Sequence, residues 1–268
     1  MRLPRLWLQP ARPGQGGVVA RLIRASLGAR LRRLTIWQSP RARRYVEALL
    51  RGSCPAEGAA FYLLWRRREA LGLAAFRRLE GEAFLNHLYV APGLRGRGWG
   101  TVLLAGAAQD YLTRNGLERA ALDVFAGGDA EVWYARLGFV ERERRTWLTS
   151  SPRRTPGSGV RVARPENWGQ AQRQHRNWGF SWLLVRARAG LQQVGRLYAP
   201  YFRLADPAAA DDPELRALLQ ALDPGRRLLL ISTAGSRRGW RLAAASRRLV
   251  CPAAPLLDRL ARRARSVA

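Results

Sequence analysis

The spacing of apolar residues changes several times along residues 1–148, and each change predicts a different element. Helical spacing over Gly17–Leu34 predicts a first helix, and Ser39-Pro40, a typical N-cap and first-turn pair, predicts the start of a second. β-prone runs then predict three antiparallel strands, over Ala60–Arg66, Glu69–Arg78 and Glu82–Ala91. The remaining predicted elements are a long helix, a strand, a short helix and a strand, over Thr101–Asn115, Arg119–Phe125, Asp129–Leu137 and Phe139–Leu148. This order indicates an α/β domain with a mixed, mostly antiparallel central sheet flanked by helices.

The second part of the chain repeats this alternation in a shorter form. Thr149–Gly159, rich in Thr, Ser, Pro and Gly, predicts a linker between a domain over residues 1–148 and a smaller α/β domain over residues 160–268. Its predicted strands are Phe180–Ala189, Leu191–Pro200, Arg227–Ser232 and Trp240–Val250, and its helices follow Asp212-Pro213 and cover Ala254–Ala268.

Short matches between the two parts suggest an internal duplication. Leu88-Tyr89-Val90-Ala91-Pro92 is similar to Leu197-Tyr198-Ala199-Pro200. In addition, Gly138-Phe139 precedes Leu148 by the same spacing with which Gly239-Trp240 precedes Leu249. We interpret the second part as a degenerate copy of the first. Chance recurrence of such short strand-end segments is the alternative.

The net charge of the chain changes this picture less than its size suggests. The 268 residues carry a formal net charge of +28, which favours non-specific attraction to polyanions. All 47 basic residues are Arg, and they are spread along the chain, 25 in residues 1–150 and 22 in the remainder. Because a dedicated phosphate-binding surface also uses Lys and clusters its charge, we attribute the excess of Arg to coding bias. We therefore expect no dedicated nucleic-acid partner.

Cysteine content and hydropathy exclude several other classes of protein. Cys54 and Cys251 are too few for a disulfide scaffold or a cysteine zinc cluster, so we expect no metal. No apolar stretch has the length of a membrane span, and the first residues lack the apolar core of a signal peptide. We therefore expect no membrane association and a cytoplasmic location.

Candidate chemistry is concentrated in Leu88–Thr101, which reads LYVAPGLRGRGWGT between a predicted strand and the long helix. Its glycines allow backbone N–H groups to converge on an anion, and the start of the helix adds its positive end. Arg95 and Arg97 can supply further charge. The segment therefore predicts a diphosphate site. The absence of Lys excludes a Walker loop, and Gly96-x-Gly98-x-Gly100 after a β-meander does not meet the Rossmann fingerprint.

The same segment resembles motif A of the GCN5-related N-acetyltransferase (GNAT) superfamily, Arg/Gln-x-x-Gly-x-Gly/Ala, through Arg95, Gly98 and Gly100. The preceding Leu-x-Val-x-Pro and the later Tyr134-x-x-x-Gly138-Phe139 resemble the flanking signatures of that family, and the resemblance covers about residues 15–148. It implies the acyl-CoA N-acyltransferase fold. It also implies an N-acetyltransferase that uses acetyl-CoA as acyl donor in a ternary complex. The acceptor would be a primary amine of a small molecule or protein, and a homodimer is compatible with this.

The resemblance also implies which residues bind the cofactor. The diphosphate would lie on the loop formed by Arg95, Gly96, Arg97, Gly98, Trp99, Gly100 and Thr101. The pantetheine arm would pair like an added strand with Leu88, Tyr89 and Val90, where Glu82–Ala91 and Arg119–Phe125 separate. A backbone amide freed by a bulge would stabilise the thioester oxygen.

Catalytic roles follow from the same resemblance. Tyr134 lies where the family places a general-acid tyrosine, and a phenol with an ordinary pKa of about 10 keeps its proton at neutral pH. His87 is the candidate base, with Asn86 orienting substrate or water and Glu82 as an alternative that acts through water. Strand alternation puts His87 and Asn86 on opposite faces unless a bulge intervenes. Packing is the alternative role for both Tyr134 and His87.

Two departures from the family pattern keep other functions open. Gly127 stands where many relatives carry an Asn that contacts the pantetheine. Tyr201–Asp206, which follows Tyr198-Ala199-Pro200, contains no glycine, so we expect the second part not to bind the cofactor. The alternatives to an enzyme are a non-catalytic acyl-CoA-binding or regulatory module and a basic nucleic-acid-associated protein.

Overall fold

The computed structural model describes residues 6–54, 58–151, 164–188 and 190–267, and the chain divides into two compact units. Unit 1 comprises Met1–Gly28, Arg43–Glu143 and Arg247–Ala268, and unit 2 comprises Ala29–Ala42 and Arg144–Ser246. The predicted limits, 1–148 and 160–268, differ from these units because neither unit is one continuous stretch. Of the predicted linker, Thr149 and Ser150 end a strand, and residues 152–159 lie outside the described residues. That either unit is an independent domain stays a prediction.

The strands, in chain order, are β1 (Leu6–Pro10), β2 (Ala60–Arg66), β3 (Glu69–Leu79), β4 (Glu82–Val90), β5 (Arg119–Phe125), β6 (Val140–Ser150), β7 (Ser181–Ala187), β8 (Gly190–Arg196), β9 (Tyr201–Leu204), β10 (Arg227–Ser232) and β11 (Arg241–Pro252). The helices are α1 (Gly16–Ser26), α2 (Ala29–Arg32), α3 (Ala42–Leu50), α4 (Trp99–Asn115), α5 (Asp129–Arg136), α6 (Trp168–Trp178), α7 (Pro213–Leu222) and α8 (Ala253–Arg265). Short 3-10 turns cover Ile36–Gln38, Pro92–Leu94 and Ala208–Asp211. Within the described ranges, no helix combines the length and the apolar character that a membrane span needs.

The sheet of unit 1 is the mixed sheet that the sequence predicts. Its strand order is β1-β2-β3-β4-β5, followed by the part of β11 that belongs to this unit. Antiparallel pairing joins β1 to β4 in succession, and β4 then pairs with β5 in parallel. A parallel pair needs a crossover connection, and α4 provides it.

Helices α4 and α8 cover one face of this sheet. A single buried cluster joins them to the two central strands, through Leu85, Leu103, Leu122, Leu256 and Leu260. Because successive strand residues point to opposite faces, Phe84 and Asp123 are directed to the other side of the sheet. The candidate site lies at the ends of β4 and β5, where the helices that cover the sheet meet its edge.

Unit 2 repeats the strand arrangement of unit 1. β7, β8 and β9 form an antiparallel meander, β9 pairs with β10 in parallel, and β10 pairs antiparallel with β6. Helix α7 makes the crossover, so β9 and β10 correspond to β4 and β5. The match between Leu88–Pro92 and Leu197–Pro200 therefore gives the wrong register for the repeat. The first of these segments ends β4, whereas the second precedes β9.

The first predicted helix is the clearest difference in secondary structure. Gly17–Leu34 is divided into α1 and α2, because Leu27 adopts an extended conformation with φ −110° and ψ 125°. Apolar spacing continues across this break, so the pattern alone does not reveal it.

Candidate active site

The two central strands of unit 1 separate part-way along their length. Parallel pairing joins Ala83–Leu85 to Ala120–Leu122, whereas β4 continues to Val90 and β5 to Phe125. Beyond the last pair, β4 keeps only its pairing with β3 among the described strands. Its other edge therefore presents backbone N–H and C=O groups that an extended ligand can pair with as an added strand. Leu88, Tyr89 and Val90 lie on this edge.

A β-bulge lies at the point where the strands separate. The register between β3 and β4 shifts so that Ala75 pairs with His87 and Phe76 with Leu85, which leaves Asn86 as the extra residue. A bulge interrupts the alternation of side chains and leaves its extra residue out of the hydrogen-bond ladder. Asn86 is exposed and His87 is partly buried. The simple alternation used in the sequence analysis therefore does not apply to this pair.

The loop between β4 and α4 is shaped by two left-handed glycines. Gly96 has φ +69° and Gly98, the N-cap of α4, has φ +78°. L-residues with side chains rarely adopt this conformation, whereas glycine does so readily. Within the described part of the chain, the backbone N–H groups from Gly96 to Gly100 have no acceptor. Together with the positive end of α4, these groups form a concave donor surface for an anion.

The two loop arginines differ in their surroundings. The Arg95 Nε donates a hydrogen bond of 3.0 Å to the Val90 carbonyl, and its guanidinium lies 5.7 Å from the centre of the Tyr89 ring. Arg95 therefore holds the loop against the end of β4. Arg97 is exposed and has no ion-pair partner within the described residues, so it is the loop cation available to a ligand.

Helix α5 brings its aromatic residues to the same region. A Cβ atom added to Gly100 would lie 4.0 Å from the Trp133 ring and 3.8 Å from Val90, so α5, the loop and the end of β4 converge there. The buried Tyr134 ring packs edge-on against Trp133 and Phe139, with ring centres 4.9 Å and 5.5 Å away. Burial raises the pKa of Tyr134, so its phenol stays protonated at neutral pH.

His87 lies beside α1, in surroundings that disfavour its protonated form. Its Nδ1 is 3.4 Å from the Ser26 hydroxyl oxygen. Loss of hydration, reinforced by the positive charge of Arg77, lowers the pKa of His87 to about 3. The imidazole is therefore neutral at pH 7, but it is a weak base.

A buried ion-pair network that sequence reasoning missed lies on the sheet face opposite α4. Arg248 of β11 is only 2% exposed and binds both carboxylate oxygens of Asp123, at 2.5 Å and 3.2 Å. Its guanidinium stacks 4.6 Å from the centre of the Phe84 ring. Glu82, the alternative base, is buried and accepts a hydrogen bond of 2.8 Å from Arg142. This pairing gives Glu82 a structural role in the sheet.

The counterpart of the phosphate loop in unit 2 is built differently. It connects β9 to α7 and reads ADPAAADD from Ala205 to Asp212, without glycine. Asp212 caps α7, because its Oδ1 accepts hydrogen bonds from the N–H groups of Glu214 and Leu215 at 2.9 Å and 3.1 Å. A carboxylate of the chain itself thus occupies the helix N-terminus that would otherwise attract a phosphate.

No cluster of metal-ligating side chains is found in the described ranges: no group of three or more His, Cys, Asp or Glu residues is suitably placed. The absence of a metal from the reaction stays a prediction.

The separating parallel strands, the bulge and the glycine loop at the start of α4 are features of the acyl-CoA N-acyltransferase fold. Residues 57–141 match the family model described as "Acetyltransferase (GNAT) domain". This match confirms the resemblance to the GNAT superfamily found in the motifs of this part of the chain. No curated protein matches the sequence of the chain.

Solved structures with a similar fold extend over both units. A tandem GNAT protein from the clavulanic acid biosynthesis pathway is 15% identical with a TM-score of 0.62, covering 94% of this chain and 99% of that one. A GCN5-related N-acetyltransferase from Sphaerobacter thermophilus is 16% identical with a TM-score of 0.56, covering 94% and 97%. One from Kribbella flavida is 17% identical with a TM-score of 0.51, covering 92% and 71%. These similarities confirm the acyl-CoA N-acyltransferase fold and agree with a second GNAT-like part.

Proposed function

We propose that this protein is an N-acetyltransferase that transfers the acetyl group of acetyl-CoA to a primary amine, with its site in unit 1. The observation that carries the proposal is the row of unpaired N–H groups from Gly96 to Gly100 at the open end of the β4–β5 fork. Such a surface suits the oxygens of a diphosphate. Gly96, Arg97, Gly98, Trp99, Gly100 and Thr101 would hold that diphosphate, and Arg95 would brace the loop.

The free edge of β4 supports the placement of the thioester. Leu88, Tyr89 and Val90 pair with β3 on one side only, so the amide groups of the pantetheine arm can complete the other side. The bulge at Asn86 lies at the inner end of this edge. An amide released from the ladder there would stabilise negative charge on the thioester oxygen as the amine attacks.

His87, Asn86 and Tyr134 would make the hydrogen bonds to the reacting groups. The amine must attack as the neutral base, because an ammonium has no lone pair. Because the imidazole of His87 is neutral at pH 7, it can accept a hydrogen bond from the amine, with Asn86 orienting the amine substrate. The raised pKa of Tyr134 keeps its phenol protonated, so it would donate a hydrogen bond to the departing thiolate. Because a thiol is ordinarily more acidic than this phenol, the tyrosine would stabilise the thiolate without losing its proton. As the C–N bond forms and the C–S bond breaks, the proton lost by the amine nitrogen would pass through water to the thiolate, which leaves as the CoA thiol.

The second unit would not bind acetyl-CoA under this proposal. The Asp212 carboxylate already satisfies the first N–H groups of α7, and a phosphate beside it would be repelled. The protein would therefore bind one acetyl-CoA per chain.

A non-catalytic acyl-CoA-binding module is the second candidate. The weak basicity of His87 and the glycine at position 127 favour it, since both reduce what the family uses for catalysis and pantetheine contact. Calorimetry with CoA, combined with thiol release from acetyl-CoA in the presence of a panel of primary amines, separates the two. Stoichiometric CoA binding without thiol release above the rate in buffer would support the binding module and overturn the enzyme.

Replacement of Tyr134 by Phe tests the catalytic assignment within that assay. We expect Tyr134→Phe to lower kcat at least tenfold while the dissociation constant for acetyl-CoA stays within about threefold, because a hydrogen bond made mainly to the developing thiolate is lost. Trp133→Phe is the control, since it changes the neighbouring ring and keeps the phenol. Equal kcat values for the Tyr134→Phe variant and the wild type would reduce Tyr134 to a packing residue.

A further inference from the structure

The C-terminal helix of the chain contacts the candidate cofactor site at two points. Val267, just beyond the end of α8, packs directly on Gly98, so that its side chain occupies the space a Cβ atom at position 98 would need. Two turns earlier, Arg259 fills the corresponding space at Gly138, and its Nη1 donates a hydrogen bond of 3.2 Å to the Leu137 carbonyl. The end of α8 therefore extends from the end of α5 to the phosphate loop.

Arg263 lies between these two contacts. Residues four apart fall on the same side of a helix, so Arg259 and Arg263 form one row along α8. Val267 follows two residues after the last residue of the helix. At 1.5 Å per residue, Arg263 is about 6 Å along the axis from Arg259. Leu256 and Leu260 anchor the helix in the core with α4, so the row has a fixed place beside the loop.

The last turn of α8 carries positive charge that forms no ion pair within the described residues. Arg262, Arg263 and Arg265 are exposed and have no ion-pair partner in the ranges that the structure describes. The C-terminal end of a helix carries a partial negative charge, which by itself would repel a phosphate. Three arginines in the last turn reverse the sign of that field next to the loop.

The phosphate loop itself offers few cations for a highly charged nucleotide. Its N–H groups are neutral donors, and Arg95 is hydrogen-bonded to the Val90 carbonyl, which leaves Arg97. A phosphomonoester carries close to two negative charges at pH 7 and favours arginine over neutral donors. Arg262, Arg263 and Arg265 lie within five residues of Val267, which contacts Gly98 of the loop.

We propose that α8 forms a third wall of the acyl-CoA site and that Arg263, with Arg262 and Arg265, binds the 3′-phosphate of the CoA nucleotide. This inference rests on the proposed function of the phosphate loop. The chain thus uses its C-terminal segment, which follows unit 2 in sequence, to complete the nucleotide-binding end of unit 1. Val267 would position the arginines by its contact with Gly98.

The test compares calorimetric binding of CoA and 3′-dephospho-CoA at one fixed ionic strength. We expect the wild type to prefer CoA by about tenfold or more, the effect of charge-assisted hydrogen bonds to one phosphate. The triple variant Arg262→Gln/Arg263→Gln/Arg265→Gln should bind both ligands with nearly equal affinity, close to that of the wild type for 3′-dephospho-CoA. The matched control Arg21→Gln/Arg78→Gln/Arg119→Gln removes the same charge from exposed positions of unit 1 outside α8 and should keep the preference.

The outcomes separate this inference from the proposed function. If CoA binds and the triple variant keeps the wild-type preference, α8 does not read the 3′-phosphate and the inference is overturned alone. If neither ligand binds the wild type, both the proposed function and the inference are overturned. Arg263→Lys keeps the charge and should retain most of the preference for CoA over 3′-dephospho-CoA. If Arg263→Lys and Arg263→Gln lose this preference equally, Arg263 has a structural role and recognition of the phosphate by charge is contradicted.

Discussion

Removal of the Asp123 carboxylate should destabilise unit 1 more than any single change on its exposed surface. The Arg248 guanidinium is 2% exposed, and Asp123 supplies its two shortest contacts, at 2.5 Å and 3.2 Å. Its Nη1 has no hydrogen-bond acceptor in the described structure and lies 3.8 Å from Glu80 Oε2. Asp123→Asn would therefore leave a buried cation with only the more distant counter-charges of Glu80 and Glu143.

The magnitude follows from the asymmetry of buried ion pairs. Loss of one partner of such a pair costs about 3–5 kcal/mol, because the remaining charge is desolvated without compensation. Glu80 and the Phe84 ring, 4.6 Å from the guanidinium, offset part of this, so we expect about 3 kcal/mol. Arg248→Met should cost less than Asp123→Asn, because methionine fills similar space and the Asp123 side chain, 23% exposed, can regain water. The double variant should recover stability relative to Asp123→Asn alone.

Urea denaturation followed by intrinsic fluorescence gives the free energy of unfolding for all three variants. Arg114→Gln is the control, because Arg114 forms an exposed pair with Asp110 at 2.7 Å and its loss should cost less than about 1 kcal/mol. The reasoning is refuted if Asp123→Asn unfolds within 1 kcal/mol of the wild type, or if adding Arg248→Met to it makes the protein less stable still.

Three further predictions concern the loop, the histidines and the cap of unit 2. Gly98→Glu should abolish CoA binding, because position 98 has φ +78° and is covered by Val267, and because the new carboxylate would lie at the phosphates. Gly93→Glu, at an open position of the same loop, should retain binding within about tenfold. Equal affinities of the two variants would contradict the placement of the phosphates. The pKa values of His87 and His175 are lowered to about 3 and about 4, so below pH 6.5 the folded state binds fewer protons than the unfolded state. The free energy of unfolding should therefore fall as the pH drops from 6.5 toward 4. Imidazole NMR signals that titrate near pH 6.5 would disprove this. Asp212→Ala should lower the free energy of unfolding in urea by about 1 kcal/mol, because the cap of α7 is lost. Asp211→Ala removes an exposed partner of Arg237 and should lower it less. The reverse order would contradict the capping role of Asp212.

The elements that could be predicted from the sequence are those whose signal is local. β2, β5 and β10 have the predicted bounds, and α4 begins two residues before its predicted start, because each is an apolar run bounded by turn residues. β1 and β9 were not predicted. β1 is a five-residue edge strand that ends in Pro10, and β9 has four residues directly after Pro200, so neither shows enough alternation to be distinguished from loop.

The parts of the site that could not be predicted depend on contacts between distant residues. Asp123 and Arg248 are separated by 125 positions, and nothing in either neighbourhood indicates the other. The contact between Val267 and Gly98 is of the same kind. Membership of the C-terminal segment in unit 1 also depends on tertiary packing alone, since α8 reads locally as an amphipathic surface helix.

The two repeats explain why one fold position can have opposite chemistry in a single chain. In each unit a strand of a parallel pair leads through a short turn into a helix, so each helix N-terminus attracts negative charge. In unit 1 the left-handed Gly98 stands at the cap position and has no side chain, so the N–H groups remain available to an external anion. In unit 2 Asp212 occupies the cap and supplies the anion from the chain itself. The field at the two helix ends has the same sign, so the capping residue decides whether the first N–H groups of the helix stay open to an external anion or are satisfied by the chain itself.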